Sequence, residues 1–372
     1  MTIKANTAIS PANDPWEAYD DYQQFGKHTL TNVEFTTTTL CNMRCEHCAV
    51  GSLLSRREPS DGLPVELLKE RLDEVEHLRA LSITGGEPML SKKSVDKYVV
   101  PLLRYAYERG ASTQINSNLT LPLQQYEAIL PYLDVLHITH NYGSFEDFAA
   151  IGFAHMTNPP AMEKRQLFFD RMVENAKTLT GEGIMVSAET MVNKRTLPHL
   201  EAIHDQIVEM GCQRHEVHPM YPSDFASEME IATLPEIRDG IHRLLDHRER
   251  DTWMLFGTLP FYACNQDQED LQLLKRVYAS KNVTVRNDPD GRSRLNADVF
   301  SGNISVTDFG EGPALGNLQN TSLATAFANW KQSSLAHSLH CHCPSVRCLG
   351  PNALVKNAYY KNTDFQARSS NL

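Results

Sequence analysis

Between residues 33 and 220, a short run rich in β-branched residues is followed six times by a stretch suited to a helix, and this alternation narrows the fold more than any other feature of the chain. The runs are VEFTTTT (33 to 39), ALSIT (80 to 84), STQINS (112 to 117), VLHIT (135 to 139), MVSAET (185 to 190) and HEVHPM (215 to 220). Parallel neighbours in a sheet need a crossover between them, and a helix is the usual one, so strand-helix alternation points to a parallel sheet. The runs near the middle of the chain are nearly continuous in apolar character, as a sheet covered on its outer face requires. In the first crossover Val65, Leu68, Leu72, Val75 and Leu78 recur every three or four residues, with Glu66, Lys69, Glu70 and Asp73 facing water. The expected fold is α/β: an open or partial (β/α)6 barrel.

Around Trp253 the alternation is expected to stop, giving way to LPFYACN, a helix near Leu271 and a turn-rich, hairpin-like stretch over 287 to 313. Three regions follow: an N-terminal extension (1 to 30), a barrel (31 to 250) and a small C-terminal domain (251 to 372). The connection over 141 to 165 is longer than most strand-to-helix loops. Its Phe145, Phe148, Phe153 and Met156 suit either a lid over a ligand or a short extra helix packed on the barrel.

A formal charge of -11 disfavours a broad nucleic-acid groove. The first thirty residues hold no apolar run of the signal-peptide kind, and no later stretch is long enough to span a bilayer, so the expected location is the cytoplasm with no membrane partner. In that compartment the eight cysteines read as metal ligands or reactive thiols rather than disulfides. Six of them fall into two tight groups, Cys41/Cys45/Cys48 and Cys341/Cys343/Cys348, which suggests two metal sites.

Cys41-x3-Cys45-x2-Cys48 directly follows the first strand, at the carboxyl end of the sheet where α/β folds place their sites. Three thiolates suit an iron-sulfur cluster that keeps one iron without a protein ligand. Zinc would want a fourth ligand, and His47 lies between two of the cysteines. Asn118 and Glu189, at the ends of the third and fifth strands, are polar where a barrel mouth should be, and suit ligand contacts or turn capping. His140 and His218, after the fourth strand and on the sixth, suit a cavity lining or a hydrogen-bonded structural role.

The cysteine spacing, followed by Thr84-Gly85-Gly86-Glu87-Pro88 after the second strand, resembles the radical S-adenosylmethionine (SAM) superfamily. The resemblance implies that Cys41, Cys45 and Cys48 ligate three irons of a 4Fe-4S cluster and that SAM chelates the fourth. It implies that Glu87 accepts a hydrogen bond from the methionine amino group and that His47 takes the place of an aromatic residue near the adenine. Gly85 and Gly86 are then expected to let the backbone approach the ligand, with Pro88 stiffening the turn. An electron donor such as flavodoxin or ferredoxin is implied as a partner. The resulting 5'-deoxyadenosyl radical would oxidise or modify a peptide, protein or small-molecule substrate. RNA modification and a non-catalytic redox sensor are the alternatives.

At the other end, Cys341-x-Cys343-x4-Cys348, interleaved with His340 and His342, is too irregular for a paired zinc ribbon and favours an auxiliary iron-sulfur cluster. The stretch from Leu315 to Trp330 resembles the lead-in to auxiliary-cluster domains of the SPASM and twitch type, in reduced form because residues 302 to 312 hold no cysteine. Cys264 is then either the fourth ligand or a buried apolar thiol, and Cys212 reads as core. Including PWEAYDDY, GKHTLTNVEFTTTTLCNMRCEHCAVG and the terminal cysteines, nearly the whole chain resembles the YfkA/YfkB type of bacterial radical SAM proteins. That resemblance brings no substrate with it.

Overall fold

The computed structural model describes residues 9–57, 61–265, 267–307, 312, 314–339 and 341–369. Its sheet has eleven strands: β1 (Asn32–Thr36), β2 (Ala80–Thr84), β3 (Ser112–Ser117), β4 (Val135–Thr139), β5 (Met185–Val192), β6 (Arg214–Pro219), β7 (Trp253–Gly257), β8 (Val283–Arg286), β9 (Arg294–Asp298), β10 (Asn303–Ser305) and β11 (Gly316–Asn317). They lie in the order β11-β10-β9-β1-β2-β3-β4-β5-β6-β7-β8. β1 to β8 run parallel in chain order. The expected six-strand partial barrel is present, with α-helices between consecutive strands except β3 and β4, which two 3-10 turns (Leu123–Gln125 and Leu130–Tyr132) join.

The alternation does not stop at Trp253. That residue opens β7, which pairs in parallel with β6, and helix Gln268–Ala279 returns the chain to β8. β9 then pairs in parallel with the far side of β1, and β10 turns back against β9 as the expected hairpin. The sheet therefore runs past residue 250, where a boundary was expected. Short strands and polar flanks hid it: β8 is four residues long and only half-buried throughout, so it lacks the apolar run of a central strand.

Val33 and Phe35 of β1 pack under the covering helices with Leu68, Leu72, Leu102 and Leu103, while Glu34 between them faces the barrel interior. The same period of two puts polar residues inward all round the barrel, where a closed barrel carries Val, Ile and Leu. The first crossover helix ends at Asp73, so Val75 and Leu78 pack from the turn after it. Cys212 is 4% exposed within the core.

The N-terminal segment closes the bottom of the barrel. Trp16 is buried against Ala80 and Val135, and its indole N–H donates to Ser82 Oγ at 3.2 Å. Asp14 Oδ2 accepts from Arg286 Nε on β8 at 2.8 Å. Helix Ala18–Phe25 continues to the C-terminal cysteine loop, where Tyr19 donates to the carbonyl of Pro344 and the Tyr22 ring lies 4.3 Å from that of His342. His340 lies outside the described residues. No helix is long and apolar enough to cross a membrane among the described residues.

Candidate active site

After Thr36 the chain leaves β1 and lays the cysteine loop over the end of the barrel. The loop is fixed by its own backbone on two sides. Arg44 N and Glu46 N donate to the carbonyls of Gly152 and Ile151 at 3.0 and 2.9 Å, and His155 N returns a bond to Arg44 O. Inside the loop the Arg44 guanidinium gathers the carbonyls of Cys41, Met43 and Ser55. Such anchoring holds the thiols where a loose loop would scatter them.

The long segment after β4 is thus a brace and not a lid. It forms helix Phe145–Ile151, with Phe148 and Phe153 buried in the core and Met156 packed against it. None of Phe145, Phe148, Phe153 and Met156 lines the cavity described next.

The thiols of Cys41, Cys45 and Cys48 line a cavity of about 300 Å³ that enters the barrel from the carboxyl end of the strands. Gly85, Gly86, His47, Asn118, Glu189 and His218 line it too. Burial raises the Cys41 thiol to about 12, and Cys45, also buried and crowded by Cys41 and Cys48, stands well above the ordinary value. Thiols placed side by side suit metal ligation even when burial keeps them neutral, because a bound metal reverses the shift by stabilising the thiolate. Among the described residues no group of three or more His, Cys, Asp or Glu is set for a single ion. Three thiolates on separate irons of one cluster share no such centre. The donor set fits an iron-sulfur cluster.

The Gly-Gly-Glu-Pro turn serves this loop more directly than expected. A Cβ on Gly85 would stand 2.3 Å from the Thr38 carbonyl oxygen, and one on Gly86 2.1 Å from that of Leu40. The close approach that needs glycine is to the cysteine loop's own backbone. Gly86 N and Glu87 N donate to those same two carbonyls. Glu87 is fully buried and outside the cavity lining. Its Oε1 accepts from Ser117 Oγ (2.9 Å) and Met89 N (3.2 Å), and its Oε2 from Asn118 N (2.7 Å). Burial raises it to about 7 against those donors. Pro88, also buried, follows it.

Asn118 faces the cavity but is committed: its amide donates to Asn42 Oδ1 at 2.8 Å and its oxygen accepts from Thr120 N and Oγ1. His47 is pushed down to about 4 by burial and so is neutral, and Asn141 Nδ2 lies 3.0 Å from its Nε2. His140 is not in the lining; it is fully buried outside the barrel interior, with Nε2 3.2 Å from Gln206 Oε1. His137, whose side chain β4 turns inward, takes the place expected for it. Strand alternation could have found His137, since His140 already lies beyond the strand end.

Deeper in the barrel the cavity is lined by ionisable groups: Glu189 and His218, as expected, and Glu34, His137, Glu216, Arg286, Asp290 and Arg294, which the motifs did not point to. His137 Nε2 lies 3.3 Å from Glu189 Oε2, and His218 Nε2 lies 2.8 Å from Glu216 Oε1. Arg286 bridges Glu216 and Asp14, and Arg294 holds Asp290 at 2.7 Å. Burial alone would raise Glu189 and Glu216, but His137 and His218 hold the first below its ordinary value, and Arg286 and Arg214 hold the second well below. Burial would lower His218, yet its bond to Glu216 and the nearby Glu189 raise it. Glu34 goes the other way: burial raises it despite Arg294.

The C-terminal cysteines form a second group that does not line this cavity. Cys343 and Cys348 face each other across a backbone bridge, Cys343 N donating to Cys348 O at 2.8 Å. Burial raises Cys341 to about 12, with Cys348, Cys343 and Cys264 all close enough to act on it electrostatically. Cys348, at about 11, feels Cys343 and Cys264 in turn. A Cβ on Gly350 would stand 2.5 Å from Cys341 Sγ. The chain thus brings Cys264 to the other three, beside the Tyr262, Tyr360 and Phe365 cluster.

The chain is similar to known proteins over both its barrel and its C-terminal region. The radical SAM superfamily model matches residues 35–207 and the YfkB-like domain model residues 220–370. The chain is 65% identical to the YfkA protein of Bacillus subtilis (strain 168) over 363 residues, 97% of each chain. It is 22% identical to Fe-coproporphyrin III synthase of Methanosarcina barkeri, over 67% of this chain and 59% of that one. Streptococcus suis SuiB bound to S-adenosylmethionine shares the fold with a TM-score of 0.60 at 16% identity, over 90% of this chain and 76% of that one. The anSMEcpe structure with bound AdoMet does so with a TM-score of 0.61 at 12% identity, over 91% and 94%. The chain belongs to the radical SAM superfamily, in the family that includes YfkA and carries the YfkB-like C-terminal domain.

Proposed function

We propose that this protein uses SAM, held on a 4Fe-4S cluster at Cys41, Cys45 and Cys48, to generate a radical that oxidises or modifies a peptide or protein segment. One observation carries the reading: the three thiols and the Gly85-Gly86 turn line a single cavity at the carboxyl end of a partial barrel. A cluster and SAM bound there would supply one-electron radical chemistry, with abstraction of a hydrogen atom from the substrate as its outcome.

The chain's own part is positioning. Cys41, Cys45 and Cys48 hold the irons, while Arg44 and the brace at 151 to 155 fix their loop. Glu87, buried behind the lining, ties the end of β3 to its own turn through three donors, and its N–H holds the cysteine loop at Leu40 O. His47, neutral and flat, offers a face for an adenine, and Asn118 and Glu189 flank the space beyond. Cys264, Cys341, Cys343 and Cys348 are the ligand set for an auxiliary cluster, loaded by the same thiol chemistry. A peptide substrate is supported by likeness of fold to SuiB bound to precursor peptide SuiA and to anSMEcpe bound to a peptide. The acid-lined interior is a poor receptor for a phosphate backbone.

Iron and sulfide per chain in anaerobically reconstituted protein, with 5'-deoxyadenosine release under a strong reductant, test the reading. About eight irons, falling to about four with loss of release in C41A/C45A/C48A, are expected. Iron that survives the triple substitution, with no SAM cleavage by the wild type, would refute it.

A further inference from the structure

The cavity has two tiers. The cysteine loop, Gly85-Gly86 and His47 lie past the strand ends. Glu34 sits two residues before the end of β1, roughly 7 Å deeper at about 3.3 Å per residue. Strand pairing sets Glu34 level with Ser82 and Asn296, and the floor below is closed by the Trp16 indole.

In this lower tier the charges do not balance. Arg286 is taken by Asp14 and Glu216, Arg294 by Asp290, and His218 by Glu216 and Glu189. Two cavity-lining carboxyl groups have no close ion pair among the described residues. Glu34, with 4% exposure, makes no side-chain hydrogen bond among the described residues, and its ion pair is the long one to Arg294 at 3.8 Å. Asp288 has the Asn352 amide and the Asp290 backbone N–H as donors and no ion pair among the described residues; Arg292 and Arg294 act on it from farther off, against the like charge of Asp290. A buried carboxyl without a paired cation is costly, and both groups accordingly have raised pKa values, chiefly from burial. An incoming cation would remove that cost. Beneath them Trp16, whose ring Arg214 already overlies at 6.0 Å, closes the space.

We infer that the lower tier is the substrate's side-chain subsite, and that it selects a cationic side chain, an amine or guanidinium, which pairs with Glu34 and Asp288 above Trp16. This rests on the peptide reading above and narrows it to a substrate segment carrying lysine or arginine.

The test is calorimetric titration of acetyl-Gly-X-Gly-amide peptides (X = Lys, Arg, norleucine, Gln or Glu) into the reconstituted holoprotein with SAM, and into the cluster-free protein. The Lys or Arg peptide is expected to bind at least about 10-fold tighter than the norleucine, Gln and Glu peptides. Glu34→Gln should abolish that preference, Glu34→Asp should keep part of it, and Asp288→Asn should weaken cationic peptides alone. Thermal melts verify that each variant folds. Equal binding of all peptides, preference for Glu, or no binding of Lys and Arg peptides at 10 mM overturns the inference. So does a Glu34→Gln variant that loses SAM affinity but keeps the cation preference, since SAM would then occupy the lower tier. Release of 5'-deoxyadenosine by the wild type is measured in the same samples. Its absence with the cation preference intact counts against the radical reading alone, and its presence without a preference counts against this inference alone.

Discussion

The two cysteine groups are built on opposite plans. The first has three thiols on one loop, held by backbone hydrogen bonds and opening onto a cavity. The second gathers thiols from two distant segments, Cys264 and residues 341 to 348, beside an aromatic cluster and away from that cavity. Three protein ligands leave a cubane iron for another molecule, whereas four close it. The difference lies in the number of thiols and in the space beside them, and under the proposed function it would separate a group that does chemistry on a ligand from one that holds or passes electrons.

Removing each set of thiols should break the comparison most sharply. C41A/C45A/C48A is expected to abolish 5'-deoxyadenosine release, by more than about 100-fold, and to remove about four irons. C341A/C343A/C348A should remove about four irons as well while SAM cleavage persists at a reduced rate. Equal loss of release in both variants, at matched folding by circular dichroism, would mean that the two sites act as one.

Each group also rests on a glycine whose missing Cβ is filled by the site. At Gly86 the obstacle is the Leu40 backbone at 2.1 Å, and at Gly350, where φ is +79°, it is Cys341 Sγ at 2.5 Å. Gly86→Ala must push the cysteine loop aside, and should cut SAM cleavage at least about 10-fold while costing on the order of 2 kcal/mol of stability. Gly350→Ala adds left-handed strain of about 1–2 kcal/mol and should lower iron at the second group while leaving SAM cleavage measurable. Iron analysis with denaturant midpoints reads both.

The thiols pose a finer contrast. Cys264 and Cys212 are both isolated in sequence, yet Cys264 reaches the C-terminal group and Cys212 is buried in the core. Cys264→Ser should change the electron paramagnetic resonance signal of the second cluster. Cys212→Ala should leave both signals alone and cost about 1 kcal/mol.

Sequence reading separated these sites because ligand spacing is a local property. Cys41, Cys45 and Cys48 sit on one loop, and the alternation of strands and helices placed that loop at the right end of the sheet. What it missed depends on facing. Glu34, His137 and Glu216 are ordinary strand residues until the barrel curls and turns them inward, and His140 fell on the wrong side by lying one residue past β4. Trp16 and Arg286 come from segments far apart in the chain, so no local pattern could place both in one cavity. Strand β8 escaped because its side chains are half-exposed and give no apolar run.

The N-terminal segment joins the two regions, and a buried carboxyl on it offers the mildest test of whether they are mechanically one. Trp16 closes the cavity floor, Tyr19 and Tyr22 pack on the C-terminal cysteine loop, and Glu17 lies between them. Glu17 accepts from Tyr19 N at 2.8 Å and from Asn287 at 3.2 Å, but burial outweighs these donors and raises it to about 8. The folded state therefore holds a proton that the unfolded chain releases near the ordinary value of 4.5. Stability from the protonated form is fully present below that value and is lost as pH rises towards about 8. In the cluster-free protein, urea midpoints should fall from pH 5 to pH 8.5 more for wild type than for Glu17→Gln, by a difference on the order of 2 kcal/mol. If the segment is one body with both sites, the thiol reactivity of Cys41 and Cys348 should rise together over the same interval. A rise at Cys348 alone would show that the plug yields at the C-terminal end while the cavity floor stays shut.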